Sequence, residues 1–176
     1  MIAAIVLAAG FARRMGRQKL LLNLQGKAVV RWAVERLLPH VEDVVVVTGQ
    51  DDVPVREALA GLAVRYAVNA NPQSGQGSSI AVGVGALKPW TRAVLIALGD
   101  QPRIPDGVVP RVLEAFARSG KVIVVPVYRG AQGTPALFAA EVFPELRGLT
   151  GDAGARSIVQ ARPERLVEVR GPGADR

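Results

Sequence analysis

The stretch IVLAAGFARRMGRQKL, residues 5–20, decides how the rest of the chain is interpreted. Its apolar opening stops at Gly10 and is followed by four cations, Arg13, Arg14, Arg17 and Lys19. An uninterrupted apolar run predicts a strand that is buried on both faces, as in a parallel sheet covered by helices. Glycine lets the backbone approach a ligand closely, and exposed amides beside arginines can hold an anion. The loop is therefore either a polyphosphate site or a solvated connection with surface arginines.

The length and composition are those of one globular domain. A chain of 176 residues can bury a sizeable core, and its 49% hydrophobic and 21% charged residues are ordinary proportions. No apolar segment approaches the about 18 residues of a membrane span, and no cleavage site follows the first apolar run, so we expect a cytoplasmic protein. The absence of cysteine excludes disulfides, thiolate metal sites and cysteine nucleophiles.

The net charge of +7 has three explanations: a compositional bias toward arginine, a site for an anionic small molecule, or a nucleic-acid surface. The arginines are scattered along the chain, and aromatic residues, at 5%, are too few for a base-stacking platform. We therefore expect neither nucleic acid nor membrane as a partner.

Strand-like apolar runs alternate with helical patterns along most of the chain. Strands are predicted over residues 2–8, 43–48, 63–68, 93–98 and 121–127, with an edge strand over 166–170. Helices are predicted over residues 29–38, 53–59, 78–87 and 107–118, with shorter pieces over 141–149 and 153–161. We predict one α/β domain over residues 1–176, a three-layer α/β/α sandwich around a mostly parallel sheet.

Three loops follow predicted strands at the edge where ligands of open α/β sheets bind: residues 9–19, 69–79 and 99–102. The first contains neither a Walker A loop nor a GxGxxG fingerprint, which excludes two common phosphate sites. The second is rich in hydroxyls, amides and glycines, and is either a ligand-binding loop or a surface loop that caps the next helix. The third carries Asp100, either a turn residue or an oxygen ligand for Mg²⁺ opposite the basic loop.

The order of residues in LAAGFARRMGRQKLLLNLQGK, residues 7–27, resembles the signature of the molybdenum cofactor cytidylyltransferases and guanylyltransferases. These enzymes belong to the nucleotide-diphospho-sugar transferase superfamily, whose fold is Rossmann-like. The matching positions are Leu7, Ala8, Ala9, Gly10, Arg14, Met15, Gly16, Lys19, Gly26 and Lys27. GDQP at residues 99–102, RGAQGTPALF at 129–138 and LTGDAGARSIV at 149–159 resemble later segments of the same family.

The resemblance implies a role for each matching residue. Leu7, Ala8, Ala9 and Gly10 would wrap the nucleoside triphosphate, Arg14 and Lys19 would hold its phosphates, and Asp100 would bind Mg²⁺. Further nucleotide contacts would come from Gly77, Ser78 and Ser79. Asp152 and Arg156 are candidates for the pterin side of the site, although Asp152 is equally well placed to cap the helix that follows it. Met15 is more readily explained by an inward-facing core position than by a contact with the nucleotide.

The implied reaction is the transfer of CMP from CTP to the terminal phosphate of molybdopterin, with release of pyrophosphate. Asp100, Arg14 and Lys19 would be the catalytic residues, and Mg²⁺ the cofactor. CTP is expected because the cytidylyltransferases read Ala-Ala-Gly at this position, and the methyl group of Ala9 narrows the space that a purine needs. The alternatives are GTP as the nucleotide, a sugar or small phosphorylated alcohol as the acceptor, and a non-catalytic factor that holds molybdopterin for a molybdoenzyme.

The sequence departs from the family pattern at two places. Relatives continue beyond about residue 170 through an Asp-Ile-Asp-Thr-Pro-like motif, whereas this sequence ends GPGADR, and Asp175 has no matching neighbours. Family members often carry histidine where Thr134 stands, and the single histidine, His40, lies at a predicted helix end away from the loops. We therefore expect His40 to be structural and the reaction to proceed without histidine acid–base chemistry.

Overall fold

The computed structural model describes residues 1–10, 19–152 and 154–171, and its centre is an eight-stranded sheet. The main path of the sheet has the order β5-β4-β1-β6-β9-β7-β10, and β8 pairs with β7. The strands of this sheet are β1 Ile2–Ala8, β4 Asp43–Thr48, β5 Arg65–Val68, β6 Ala93–Leu98, β7 Ile123–Tyr128, β8 Ala131–Gln132, β9 Ala136–Ala139 and β10 Leu166–Arg170. A separate hairpin joins β2 Asn23–Leu24 to β3 Lys27–Ala28.

The middle of the sheet is parallel, as predicted. β1 pairs in parallel with β4 on one side and β6 on the other, with Leu7 opposite both Val47 and Leu98. All six residues of β4 are buried, because its four valines pack alternately into the core clusters on the two faces of the sheet. These three strands end together, so the loops that follow them meet at one edge.

Helices cover both faces of the sheet and complete three layers. The helices are α1 Val29–Leu37, α2 Val53–Ala58, α3 Gln76–Gly85, α4 Val108–Ser119, α5 Phe143–Arg147 and α6 Arg156–Ala161. One core cluster contains side chains of α1, α2 and α4, and the other contains side chains of α3, α5 and α6. Alternate residues of β1 serve the two clusters: Val6 packs in the first and Ile5 in the second.

β9 is a buried inner strand that the sequence analysis missed, as it also missed the two-residue β8. Residues 136–139 lie between β6 and β7 and are antiparallel to both strands. All four residues are buried, with Leu137 and Phe138 at 0% and 1% exposure. A run of four apolar residues beside a glycine-rich turn carries too short a pattern to separate a central strand from a loop.

Gly83 explains how α3 packs on the sheet. The sequence analysis treated this glycine as a weakness of the predicted helix. A Cβ atom on Gly83 would lie 2.8 Å from Ile5 Cγ2 and 3.0 Å from Val47 Cγ2. The missing side chain therefore lets α3 lie close against β1 and β4.

Among the described residues, no helix combines the length and the apolar character needed to cross a membrane.

Candidate active site

The first cavity of the site lies where β1 and β6 end. It has a volume of about 270 Å³, and its lining includes Leu7, Ala9, Gly10, Leu20, Pro72, Gly75, Gln76, Ser79, Leu98, Asp100 and Asp152. The backbone N–H of Gly99 donates to the carbonyl of Leu7 at 2.9 Å, which extends the pairing of β6 with β1 by one residue. A Cβ atom on Gly99 would lie 2.9 Å from that carbonyl oxygen, so a side chain here would part the two strands. This close approach places exposed Asp100 beside the loop that follows β1.

A second cavity, of about 350 Å³, shares Ala9, Gly10, Leu20 and Pro72 with the first. It opens toward the loop after β4, where Gln50, Asp51 and Asp52 line it. Asp52 accepts hydrogen bonds from Arg56 Nε at 2.7 Å and Thr48 Oγ1 at 3.1 Å. The hydrogen bond from Arg56 lowers the pKa of the Asp52 carboxyl and so favours its ionised form. The negative charge of Asp52 at this wall of the cavity is therefore balanced by the positive charge of Arg56.

A buried asparagine, Asn69, organises the loop after β5. It is 3% exposed, and its Nδ2 donates to Ser78 Oγ at 2.9 Å and to Ser79 Oγ at 3.0 Å. Its Oδ1 accepts from the backbone N–H of Asn71 at 3.0 Å. The amide thereby fixes the start of α3 and the hydroxyl of Ser79, which lines the first cavity.

The segment of residues 150–152 docks on the start of α3 through its backbone. Gly77 N–H donates to the Gly151 carbonyl at 2.9 Å, and Gly151 N–H donates to the Ser74 carbonyl at 3.1 Å. A Cβ atom on Gly75 would clash with Gly151 and would lie 2.6 Å from Asp152 Oδ1. Glycine at position 75 therefore allows the contact that brings Asp152 into the first cavity.

A third cavity, of about 280 Å³, adjoins the first and shares Leu7, Gln76 and Leu98 with it. Its apolar lining includes Ile80, Ile96, Leu98, Val125, Ala136, Phe138 and Val159, and its polar lining comprises Gln76, Gln101, Gln132, Thr134 and Arg156. Arg156 is the one cation that lines it among the described residues, and it forms no ion pair with any of them. The cavity thus joins an apolar surface to an available positive charge.

A fourth cavity, of about 410 Å³, lies on the other side of Asp100 and is bordered by Arg103, Tyr128 and Thr134. Tyr128 donates its hydroxyl to the Thr134 carbonyl at 2.9 Å, and burial raises the pKa of Tyr128 to about 12. Tyr128 is therefore a neutral wall of the cavity at physiological pH.

The structure brings most of the predicted site residues to one edge of the sheet. Residues 7–10, Ser79, Asp100 and Asp152 border the first two cavities, and Arg156 borders the third. Lys19 is exposed at the beginning of helical residues 19–21. Arg13, Arg14, Met15, Gly16, Arg17 and Asp175 lie outside the described residues.

Gly77 and Ser78, which were predicted to contact the nucleotide, both contact other parts of the protein. Gly77 packs against the backbone of Thr150, where a Cβ atom would lie 2.9 Å from the Thr150 carbonyl oxygen. Ser78 donates its hydroxyl to the Gly75 carbonyl at 2.7 Å and accepts from Asn69.

The alternative that Asp152 caps the following helix is wrong, because Ala155 is the N-cap of α6 and no side chain caps it.

The donor set at this edge fits a hard divalent cation shared with phosphate. Within residues 1–10, 19–152 and 154–171, no three His, Cys, Asp or Glu side chains gather into a metal-binding group. Mg²⁺ is commonly held by one or two carboxylates together with substrate phosphates and water. Asp100 and Asp152, which line the same cavity, provide carboxylates of that kind.

The fold and the arrangement of these loops define a nucleotidyltransferase of the Rossmann-like NTP transferase type. The chain belongs to the family of MobA-like NTP transferase domains, whose sequence pattern matches residues 4–167. Two solved structures agree with the fold. A nucleotidyl transferase from Methanothermobacter thermautotroptrophicus is 27% identical, with a TM-score of 0.82 over 99% of this chain and 88% of that one. Rv0371c from Mycobacterium tuberculosis H37Rv, solved in complex with manganese, is 25% identical, with a TM-score of 0.81 over 97% and 88%.

Curated relatives include proteins named for purine catabolism and for the molybdenum cofactor. The purine catabolism protein PucB of Bacillus subtilis is 28% identical over 173 residues, which cover 91% of this chain and 81% of the relative. The molybdenum cofactor guanylyltransferase of Shewanella sediminis is 28% identical over 162 residues, covering 89% and 78%. A probable molybdenum cofactor guanylyltransferase of Thermococcus sibiricus is 27% identical, and the chain spans 64% of its length. The resemblance to molybdenum cofactor nucleotidyltransferases is therefore confirmed at the level of the family.

Proposed function

We propose that the protein transfers a nucleoside monophosphate from a nucleoside triphosphate to the terminal phosphate of molybdopterin. The observation that carries this proposal is the pair of adjoining cavities around Asp100 and Gln76. One lies behind the small-residue loop of β1, and the other is lined by an apolar surface and by Arg156, which forms no ion pair with the residues that the structure describes. Two substrates could therefore meet at the end of β6.

In the proposed reaction, an oxygen of the acceptor phosphate attacks the α-phosphorus of the nucleotide. The bond from that phosphorus to the bridging oxygen breaks, and pyrophosphate leaves with the electron pair. A phosphate is already ionised at neutral pH, so the protein's contribution is alignment and charge neutralisation. Ala9 and Gly10 would lie against the nucleotide, Lys19 and Arg14 would face the leaving pyrophosphate, and Arg156 would hold the acceptor.

Asp100, with Asp152 in the same cavity, would hold Mg²⁺, which when bound supplies positive charge to the phosphates. The manganese complex of the related mycobacterial protein supports a divalent cation in this fold.

GTP is the better-supported nucleotide, because the relatives named for molybdenum cofactor synthesis are guanylyltransferases. CTP, which the sequence analysis favoured, is the second candidate, and the specific observation behind it is Ala9. The side chain of Ala9 is 7% exposed and lines both nucleotide-side cavities, so its methyl group takes space there. One methyl group changes specificity by only about 1–3 kcal/mol, which leaves both nucleotides open.

The deciding experiment measures pyrophosphate released by the purified protein with Mg²⁺, molybdopterin and either GTP or CTP. Release with GTP in preference to CTP supports the guanylyltransferase, and the reverse preference supports the cytidylyltransferase. If the protein binds a nucleotide but releases pyrophosphate from neither GTP nor CTP, the proposed enzymatic activity is refuted. A carrier that passes molybdopterin to a molybdoenzyme would then be favoured. Release with a sugar phosphate but not with molybdopterin would replace the proposed acceptor.

A further inference from the structure

Gln76 occupies the boundary between the first and third cavities. It is the first residue of α3, and it lines both spaces together with Leu7 and Leu98. Leu7 and Leu98 offer only apolar surface, so Gln76 supplies the polar side chain at this boundary. A group placed there can contact whatever enters from either side.

A glycine on the opposite segment leaves room for the end of the exposed Gln76 side chain. Gly154 is buried with a φ of +58°, and a Cβ atom on it would clash with Gln76 Oε1. The end of the Gln76 side chain therefore lies directly over the Gly154 backbone. This proximity depends on the docking of residues 150–152 on the start of α3, the contact that also positions Asp152.

Each of the other two carboxamides of the third cavity makes one hydrogen bond within the described part of the chain, whereas that of Gln76 makes none. Gln132 donates from Nε2 to Glu168 Oε1 at 2.9 Å, and Gln101 Oε1 accepts the hydroxyl of Thr134 at 2.5 Å. Gln76 has no hydrogen bond from its side chain to any residue in the described part of the chain. Its carbonyl and its two N–H groups can therefore serve a bound molecule.

The surroundings indicate the chemistry of that molecule. The third cavity places an apolar surface of Ile80, Val125 and Phe138 beside this amide and beside Arg156. A flat ring packs well on such a surface, and a ring with adjacent donor and acceptor atoms can pair with a carboxamide through two hydrogen bonds. The exposed guanidinium of Arg156 suits a phosphate or another anion on the same molecule.

We propose that Gln76 determines acceptor specificity by pairing with an amide-like heterocycle of the acceptor, with Arg156 holding its anionic group. This inference rests on the proposed function, because it takes the third cavity as the acceptor side of a nucleotidyltransferase. It assigns a specificity role to the first side chain of α3, which the sequence analysis did not single out.

The test is equilibrium binding of neopterin monophosphate, a fluorescent pterin that carries a phosphomonoester, to the whole protein and to Gln76→Leu. Leucine keeps the size of the side chain and removes its hydrogen-bonding groups. Two lost hydrogen bonds should weaken binding of the probe by roughly ten-fold or more, and by a clearly larger factor than the Kd for the nucleoside triphosphate, whose cavity Gln76 also lines. Gln160→Leu, on the exposed surface of α6, is the matched control and should bind the probe like the wild type.

A second variant tests the same position without changing Gln76. Gly154→Ala should displace the glutamine, because the added methyl group would occupy the place of Oε1. It should weaken probe binding in the same direction, and circular dichroism would show whether the variant keeps its fold.

The possible failures are distinguishable. Equal affinity of the wild type and Gln76→Leu for neopterin monophosphate would overturn the role of Gln76. It would not affect the proposed reaction, which is tested separately by measuring pyrophosphate release. Absence of binding to the wild type would also overturn the role of Gln76. Loss of nucleotide affinity in Gln76→Leu, to the same extent as probe affinity, would instead assign the residue to the nucleotide.

Discussion

Replacing Asn69 with alanine should lower the free energy of unfolding by about 3 kcal/mol. The buried amide makes three hydrogen bonds of 2.9–3.0 Å, to Ser78 Oγ, to Ser79 Oγ and from Asn71 N–H. Each such bond contributes about 1 kcal/mol net, and their sum gives the predicted loss. For a chain of this length, about 3 kcal/mol corresponds to a fall in Tm of roughly 6–12 °C.

The assay is thermal and urea unfolding of the wild type and Asn69→Ala, with Asn71→Ala as the control. Asn71 keeps its backbone N–H in that variant and loses only an exposed hydrogen bond from Gln73, of 3.1 Å. The control should therefore remain within about 0.5 kcal/mol of the wild type. An Asn69→Ala loss no larger than that of Asn71→Ala would refute the argument that this amide holds the loop and the start of α3.

Three further predictions concern the proposed reaction and the sheet. Asp100→Ala should lower turnover by roughly 10²-fold or more, because one preorganised electrostatic group is lost; near-normal pyrophosphate release would contradict its role. Ala9→Gly should increase the kcat/KM ratio of GTP over CTP, and an unchanged ratio would show that the methyl group does not discriminate. Asp43, buried on β4, accepts hydrogen bonds from Arg65 Nε at 2.9 Å and Nη2 at 2.5 Å, and this pairing lowers the pKa of the Asp43 carboxyl. A carboxyl whose pKa is lowered in the folded state stabilises the protein above its unfolded pKa of about 3.9, and this stabilisation is lost as the pH falls through the folded pKa. Asp43→Asn should therefore be about 1–2 kcal/mol less stable than the wild type at pH 7 and equal to it at low pH. Urea unfolding across pH measures this difference. A difference that does not depend on pH would refute the ionic explanation.

The periodicity of apolar residues was sufficient to predict the elements that are long enough to repeat their pattern. β1, β4, β6 and β10 begin and end at the predicted residues, since β1, β4 and β6 are mostly runs of Val, Ile, Leu or Ala and β10 alternates apolar with charged residues. α1 buries Val30, Ala33, Val34 and Leu37, the predicted face, although its last predicted residue belongs to a 3₁₀ turn. Short elements were less predictable, because four residues such as β9 do not complete a pattern.

The site was predictable to the extent that its loops follow the parallel strands. Asp100 and Gly10 were found because strand ends mark the ligand edge of such a sheet. Asn69 was missed, although a polar residue directly after an apolar strand was a usable signal. Gln76 was missed for a different reason: its position depends on Gly154, which lies far away in the sequence and approaches it only through the docking of two loops.

The position of β9 has a consequence for the order in which the chain can fold. β6 and β7 are synthesised first, but neither has its neighbour on that side until residues 136–139 have been made. Pairing that joins segments distant in the sequence is slow, and unpaired strand edges are the surfaces through which chains associate wrongly. A nascent or truncated chain that stops before Ala136 would therefore present two open edges from the interior of its own sheet. Once residues 136–139 have been made, they pair with both open edges at once. This short segment therefore removes the two strand edges through which one chain could pair wrongly with another.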